Sequence, residues 1–210
     1  MRQLGMGVSV FTNDNRERLP TSRFLPTQRS NANFIPSPER MDTIRLTSEE
    51  YPQQDSDELW DGLGLLVQKD YITAPNVFYC PSHHGNFQLI DSHELWNRLD
   101  GEKEIVVNYL YRGMGPEGIR VLYNINPTAA LVSDTLRSYE DLNHEGGFNI
   151  LQAGLAVNWF DDVGDQISQD ILLRSAGEDD DTNYSSSVNN AWDMLDGNEE
   201  TPDDAGDIGN

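Results

Sequence analysis

Residues 143–160, with the sequence NHEGGFNILQAGLAVNWF, decide the fold. Apolar side chains recur at alternate positions on both arms of this stretch: Phe148 and Ile150 on the first, then Leu155, Val157 and Trp159 on the second. This alternation is the period of a half-buried β-strand. Ala153-Gly154 lies between the arms and indicates a tight turn. The stretch therefore predicts a β-hairpin, the last strand pair of the folded region, because the chain after Phe160 becomes acidic and polar.

The whole chain is acidic and relatively poor in apolar residues. Its 210 residues carry a net charge of −22, and 37% of them are hydrophobic, below the roughly 45–50% of an average globular domain. Residues 1–47 hold seven Arg and four acidic residues, whereas residues 161–210 hold one Arg and fifteen acidic residues. This balance argues against a nucleic-acid partner, which requires clustered cations. We predict a soluble chain with three regions: residues 1–15, 16–160 and 161–210.

The first region has the pattern of a helix. Leu4, Val8 and Phe11 recur at helical spacing, and the polar run Asn13–Asn15 is a stop signal. No capping residue precedes this helix. An uncapped start is typical of the second half of a longer helix, and a short amphipathic N-terminal helix is the alternative interpretation.

The middle region predicts a mixture of short helices and strands. Ser56 is placed to cap a helix that continues to Val67, with acidic residues in its first turn. Residues Val77–Pro81 predict a short strand, and Ala129–Asp134 predict a buried strand that ends on an acid. Short strands with hairpin-length links favour an antiparallel sheet.

The single cysteine lies in a pattern that resembles part of a metal site. Cys80 is followed by His83 and His84, and the nearest further candidate ligand is His93. A zinc site needs three or four ligands, so the alternative is a buried thiol next to histidines on a loop. One cysteine allows no intrachain disulfide. If the chain were an enzyme, these histidines or His144 would act as base or ligand, but no nucleophile is paired with a base, and we predict a protein without catalytic activity.

An acidic turn follows the predicted hairpin. Asp161, Asp162 and Asp165 provide a density of carboxylates that suits Ca²⁺. Their spacing does not match the twelve-residue EF-hand loop, and a solvated turn is the alternative. Calcium is the one cofactor that this pattern suggests.

The last region predicts acidic segments without fixed structure. Residues Glu178–Asp181 and Glu199–Asn210 have the composition of a disordered tail. Between them, Ser187–Leu195 contains Trp192 among helix-compatible residues and predicts a small helix that docks on the folded region.

Three stretches together resemble one protein family. Arg2–Met6, continuing to Asn15, is similar to the segment just after the membrane helix of type IV pilin-like proteins, which carry a prepilin-type N-terminal methylation motif. Phe78–Ser82 resembles the Phe-x-Cys-Pro-Ser motif of that family, and the hairpin resembles its C-terminal H-x9-DG motif. The matching positions are His144, Gly146, Gly147, Asn149, Leu151, Ala153 and Val157. The sequence departs from the motif at its Asp-Gly, where Gly154 and Leu155 stand instead.

The resemblance covers residues 1 to about 160 and implies both a fold and a function. The implied fold is α+β: a truncated N-terminal helix packed on a small antiparallel β-sheet, with long loops and an acidic C-terminal tail. The implied function is a non-catalytic structural subunit of a type II secretion or type IV pilus-like filament. Its partners would be other pilin-like subunits and the secretion machinery.

The same resemblance implies a location at the cell envelope. The full-length protein would be anchored in the inner membrane, or periplasmic or extracellular, through an apolar N-terminal segment that is absent from this sequence. The alternative function is an envelope-associated module that binds calcium, a glycan or a protein partner.

Overall fold

The computed structural model describes residues 1–25, 35–36, 40–96, 103–175 and 181–197. The helices are α1 (Arg2–Asp14), α2 (Gly64–Gln68), α3 (Leu89–Trp96), α4 (Gln166–Ser175) and α5 (Asp181–Leu195). The strands are β1 (Phe24–Leu25), β2 (Ile35–Pro36), β3 (Thr43–Arg45), β4 (Ile105–Val106), β5 (Tyr109–Tyr111), β6 (Ala130–Asp134), β7 (Gly147–Gln152) and β8 (Val157–Asp161). The predicted α+β class is confirmed.

A four-stranded antiparallel sheet forms the centre of the fold. Its strand order is β5-β6-β7-β8. The predicted buried strand is β6, all five residues of which are buried. The predicted hairpin is β7 and β8, so both sequence-based strand assignments are confirmed. Strands β3 and β4 form a separate antiparallel pair, and β1 and β2 a parallel one.

Helix α1 packs on one side of this sheet, as its apolar spacing predicts. Leu4, Val8 and Phe11 are buried in a core shared with Leu151 of β7. The helix approaches closely because Gly5 has no side chain: a Cβ there would lie 2.9 Å from a methyl group of Leu151. Among the described residues, no helix combines the length and apolar character needed to cross a bilayer.

Helix α5 packs on the opposite side of the sheet. Its buried residues recur at helical spacing: Val188, Ala191, Trp192 and Leu195. They share a second core with Phe148 and Ile150. The predicted docking helix around Trp192 is therefore confirmed and begins earlier, at Asp181. Strand β7 is buried on both faces, so the prediction of a half-buried strand was wrong for it, because α5 covers the second face.

The acidic segments that were predicted to be disordered fall mainly on residues 176–180 and 198–210. These residues lie outside the described part of the chain, and only Asp181 of the first segment lies inside it, at the start of α5.

The second arm of the hairpin is more exposed than predicted. The alternation placed Leu155, Val157 and Trp159 on a buried face, but Trp159 is 49% exposed and the other two are half-buried. Strand β8 is at an edge of the sheet. Neither of its faces is covered as completely as the faces of β7. Periodicity alone does not distinguish an edge strand from a central one.

The predicted helix from Ser56 to Val67 is interrupted. A short 3₁₀ turn covers Ser56–Leu59, and α2 begins only at Gly64. Between them the backbone is paired with β3: Leu46 N donates to Leu59 O, and Asp61 N donates to Ile44 O, at 2.8 and 3.0 Å. Sheet-like hydrogen bonds with β3 therefore override the local helical pattern, and Ser56 is not a helix cap.

The predicted strand Val77–Pro81 is also absent. Residues Pro75–Phe78 form a 3₁₀ turn, with Pro75 in its first turn and Phe78 fully buried. Proline suits the first position of a helical turn, since its missing N–H would have no partner there. Tyr79 then leaves the turn in an extended conformation.

Asp61 is a buried carboxylate in the interrupted segment. Its side-chain oxygens accept hydrogen bonds from Ser22 Oγ at 2.7 Å and Arg23 N at 2.9 Å. Burial raises the pKa of Asp61 to about 6, although these two hydrogen bonds oppose the shift. Ionisation of Asp61 therefore destabilises the folded state relative to the unfolded state.

We expect the protein to become more stable as the pH falls from neutrality, and Asp61→Asn to reduce that dependence. Because the folded pKa lies above the unfolded one, the folded state binds the extra proton, and stability is lost as pH rises through the window from about 4 to about 6. The Asp61 contribution is about 3 kcal/mol across that window. Urea unfolding at several pH values tests this, and a slope unchanged in Asp61→Asn would contradict it.

Candidate functional site

Three side chains from two distant parts of the sequence meet beside the sheet. Cys80, Asp134 and His144 each offer one potential ligand atom, and these atoms all lie within 4.8 Å of one another. Cys80 Sγ is 3.5 Å from His144 Nε2, and His144 Nε2 is 3.7 Å from Asp134 Oδ2. We refer to these three residues as the Cys-Asp-His cluster.

Each residue of the cluster is positioned by a different element. Cys80 follows the 3₁₀ turn that buries Phe78, and Asp134 is the last residue of β6, fully buried. His144 lies in the loop that leads into β7 and is partly buried. Burial lowers the pKa of the Met1 amino group, and the charges of Asp134 and Cys80 oppose this shift, so the start of α1 lies near the cluster.

Asp134 holds the loop that carries His144. Its Oδ1 accepts a hydrogen bond from Asn143 Nδ2 at 3.0 Å. Its Oδ2 accepts two, from the backbone N–H of Asn149 at 2.6 Å and from Asn149 Nδ2 at 3.1 Å. A carboxylate that accepts three N–H groups ties both ends of the loop to the end of β6.

Glycine is required at the two positions of the loop for different physical reasons. Gly146 has a φ of +75° with open space around it, so it is needed for its backbone conformation. At Gly147 a Cβ would lie 2.2 Å from the carbonyl oxygen of Phe160 and 2.6 Å from the ring of Trp159. Glycine there allows Trp159 to lie edge-on to the His144 ring, with centroids 5.6 Å apart.

The hydrogen bonds assign the tautomer of His144. The amide group of Asn149 that faces Asp134 Oδ2 must be its NH₂, since a carbonyl oxygen would repel the carboxylate. The same Nδ2 lies 2.9 Å from His144 Nε2. Nε2 therefore accepts a hydrogen bond and carries a lone pair, and the neutral ring is protonated on Nδ1.

Burial controls the charge of the other two residues. Desolvation raises the pKa of the Asp134 carboxyl, opposed by its hydrogen bonds from Asn143 and Asn149. Desolvation also raises the pKa of the Cys80 thiol. The thiol is therefore protonated at neutral pH, which is the opposite of what a nucleophilic cysteine requires.

The geometry also differs from a Cys-His-Asn catalytic triad. In such a triad the histidine contacts cysteine through one ring nitrogen and its orienting residue through the other. Here Cys80 and Asn149 both contact Nε2 of His144. The arrangement directs a thiol, a carboxylate oxygen and an imidazole lone pair toward one point, which suits a shared proton network or a metal ion.

The other histidines lie outside this group. His83 is buried and bonded to Asn143 Oδ1 at 2.8 Å and to the carbonyl oxygen of Asn86 at 2.5 Å. His84 is exposed. The side chain of His93 lies outside the described residues. The predicted ligands His83 and His84 therefore do not join Cys80. The histidine that contacts Cys80 is His144, from the loop before the hairpin.

The three aspartates of the predicted calcium turn do not belong to such a group either. Asp162 is 3% exposed, and its carboxylate accepts hydrogen bonds from Ile167 N at 3.0 Å and Ser168 N at 2.9 Å, at the start of α4. Asp161 ends β8, and Asp165 has a φ of +54°. Asp162 thus stabilises the N-terminal end of α4. Calcium binding at this turn stays a prediction.

The departure from the H-x9-DG pattern falls on the hairpin turn. Leu155 N donates to Gln152 O at 2.8 Å, and Leu155 has a φ of +65°. This is the left-handed conformation that glycine adopts without strain, and it costs other residues about 1–2 kcal/mol. A glycine at position 155, as in the motif that this sequence resembles, would adopt the same conformation without strain. A Cβ at Gly154 would lie 3.0 Å from the carbonyl oxygen of Pro127.

Sequence reasoning identified His144, Gly146, Gly147 and Asn149 as a group, but it missed Asp134 and Asn143. The signal for Asp134 was a buried strand that ends on an acid, since a carboxylate in that position needs hydrogen-bond donors nearby. Comparison of the chain with protein-family profiles, with curated proteins and with solved structures gave no match.

Proposed function

We propose that this chain is the folded part of a pilin-like structural subunit, which assembles into a type II secretion or type IV pilus-like filament and performs no catalysis. One observation supports this above the others. The three stretches that resemble the pilin-like family lie together: Cys80 Sγ is 3.5 Å from His144 Nε2 across 64 positions of sequence, and the start of α1 is beside both. The three stretches that carry the resemblance thus lie in one structural unit.

The two faces of α1 also suit a filament subunit. Its inner face is buried against the sheet, whereas Met6 and Val10 are 70% and 50% exposed. Residues four apart lie on the same side of a helix, so these two form an apolar strip on the outer side. The proposed occupant of that strip is the corresponding helix of a neighbouring subunit, and the other partners would be components of the secretion machinery.

The upstream reading frame provides the first test. We expect an in-frame apolar stretch of about 20 residues that follows a charged leader and a prepilin cleavage motif. Such a segment would anchor the full-length protein in the inner membrane before assembly. A reading frame without it would contradict the proposal.

Filament assembly provides the second test. In the full-length protein, expressed with its assembly system, Met6→Glu and Val10→Glu should prevent filament formation and leave the melting temperature of the folded domain unchanged. The matched control is Ile90→Glu, since Ile90 is 79% exposed and lies on α3. Electron microscopy of sheared filaments gives the readout, and normal filaments from both α1 variants would overturn the assigned packing.

A further inference from the structure

We propose that the Cys-Asp-His cluster is a zinc site, with Cys80 Sγ, Asp134 Oδ2 and His144 Nε2 as its protein ligands. This inference is independent of the proposed filament function. It uses the same loop but requires neither assembly nor a membrane anchor.

The separations of the ligand atoms fit tetrahedral zinc. Bonds of about 2.3 Å to sulfur and about 2.0 Å to nitrogen and oxygen place the ligand atoms of a tetrahedral site roughly 3.3–3.6 Å apart. The observed separations are 3.5 Å between Cys80 Sγ and His144 Nε2, and 3.7 Å between His144 Nε2 and Asp134 Oδ2. The third pair, Cys80 Sγ and an Asp134 oxygen, lies within 4.8 Å and closes by up to about 1.3 Å when the ion binds.

The donor types select the metal. A thiolate combined with an imidazole favours zinc over calcium or magnesium, which prefer oxygen ligands. Three protein ligands leave the fourth position for water. Cys80 also lines a cleft of about 730 Å³ together with His83 and Asn108, so solvent reaches the neighbourhood of the sulfur.

The hydrogen bonds around the cluster already orient the ligands. The lone pair of His144 Nε2 points into the cluster, as the Asn149 hydrogen bond requires. The Asp134 carboxylate has about four acceptor positions. Asn143 Nδ2 occupies one on Oδ1, and Asn149 N and Nδ2 occupy the two on Oδ2. Such outer partners fix ligand orientation in known metal sites. When zinc binds, Asn149 Nδ2 gives up its bonds to His144 Nε2 and Asp134 Oδ2, and the backbone N–H of Asn149 keeps its bond to Oδ2.

Binding also has a defined proton balance. The Cys80 thiol loses its proton to solvent as the sulfur–zinc bond forms, and His144 contributes the lone pair on Nε2. The thiol therefore accounts for one proton released for each zinc bound.

Cobalt substitution provides the direct test on the unmodified protein. We expect one Co²⁺ per chain, with a thiolate-to-cobalt charge-transfer band in the near ultraviolet and the intense visible bands of a tetrahedral site. Zinc should abolish these bands by displacement. If stoichiometric cobalt produces no thiolate band in the unmodified protein, the proposal is wrong, whatever the variants do.

Variants then assign the ligands. Cys80→Ser and His144→Ala should weaken metal binding by more than about 100-fold, because even outer partners of a metal site contribute 10–100-fold. His84→Ala is the control, since His84 is an exposed histidine four residues after Cys80, and it should bind as the unmodified protein does. Isothermal titration in two buffers of different ionisation enthalpy measures affinity and proton release together. Unchanged binding in His144→Ala would show that the cysteine binds metal without the cluster.

Discussion

Trp192→Ala is expected to lower the free energy of unfolding by about 3–5 kcal/mol, the usual cost of removing a large buried aromatic side chain. Trp192 is 1% exposed and lies in the core that α5 shares with Phe148 and Ile150. The guanidinium of Arg112 lies over its ring at 5.3 Å. The substitution thus removes apolar contacts and a cation–π interaction at the same time.

The surroundings of Trp192 make collapse of the resulting cavity difficult. Arg112 is paired with Asp196 at 2.6 Å, and both side chains are nearly inaccessible. Asp196 also accepts a hydrogen bond from Ala130 N at 2.9 Å. These contacts join α5 to β6 and hold the helix end in place, so the space left by the indole is not readily filled.

Chemical unfolding followed by far-ultraviolet circular dichroism measures this effect without using tryptophan fluorescence. Asp193→Ala is the control, since Asp193 is exposed on the same helix and surface substitutions usually change stability by less than about 0.5 kcal/mol. Equal stabilities for the two variants would mean that α5 does not contribute to the core in solution.

Asp134→Ala is expected to cost about 3 kcal/mol or more in the metal-free protein. The substitution leaves one N–H of the Asn143 amide and two N–H groups of Asn149 without their acceptor, and each buried donor without a partner costs about 1–3 kcal/mol. The loop that carries His144 should also open. Hydrogen exchange at the backbone N–H of Asn149 should become faster as its 2.6 Å hydrogen bond is lost.

Two further variants separate the hydrogen bonds from the charge. Asp134→Asn keeps one oxygen for the Asn149 donors but turns an NH₂ group toward Asn143, so we expect an intermediate loss. Glu145→Ala removes an exposed carboxylate from the same loop and should have little effect. If Asp134→Ala and Glu145→Ala were equally stable, the hydrogen bonds to Asp134 would not hold the loop.

Local patterns were sufficient for the elements whose packing agrees with their own periodicity. The spacing of Leu4, Val8 and Phe11 predicted α1, and the apolar run from Ala129 to Asp134 predicted β6. The turn at Ala153-Gly154 predicted the hairpin. In each of these cases the hydrophobic period and the secondary structure favour the same conformation, so the tertiary contacts only reinforce what the local sequence prefers.

Local patterns failed where a distant backbone competes for the same hydrogen bonds. Residues Leu59–Asp61 have a helical pattern, yet they pair with β3, and Gly64 lies where a Cβ would be 2.0 Å from the carbonyl oxygen of Ile44. The exposure of Trp159 has a related cause. Only the strand order shows that β8 is an edge.

For the candidate site, the sequence by itself determined which residue types are present: one thiol, a loop with a histidine and two glycines, and a buried strand that ends on an aspartate. Only the tertiary structure decided that they meet. The partner of Cys80 is His144, 64 positions away, rather than His83. The physical reason is the sheet: antiparallel pairing of β6 with β7 brings Asp134 to the start of the hairpin, and three hydrogen bonds from Asn143 and Asn149 then turn the loop toward Cys80.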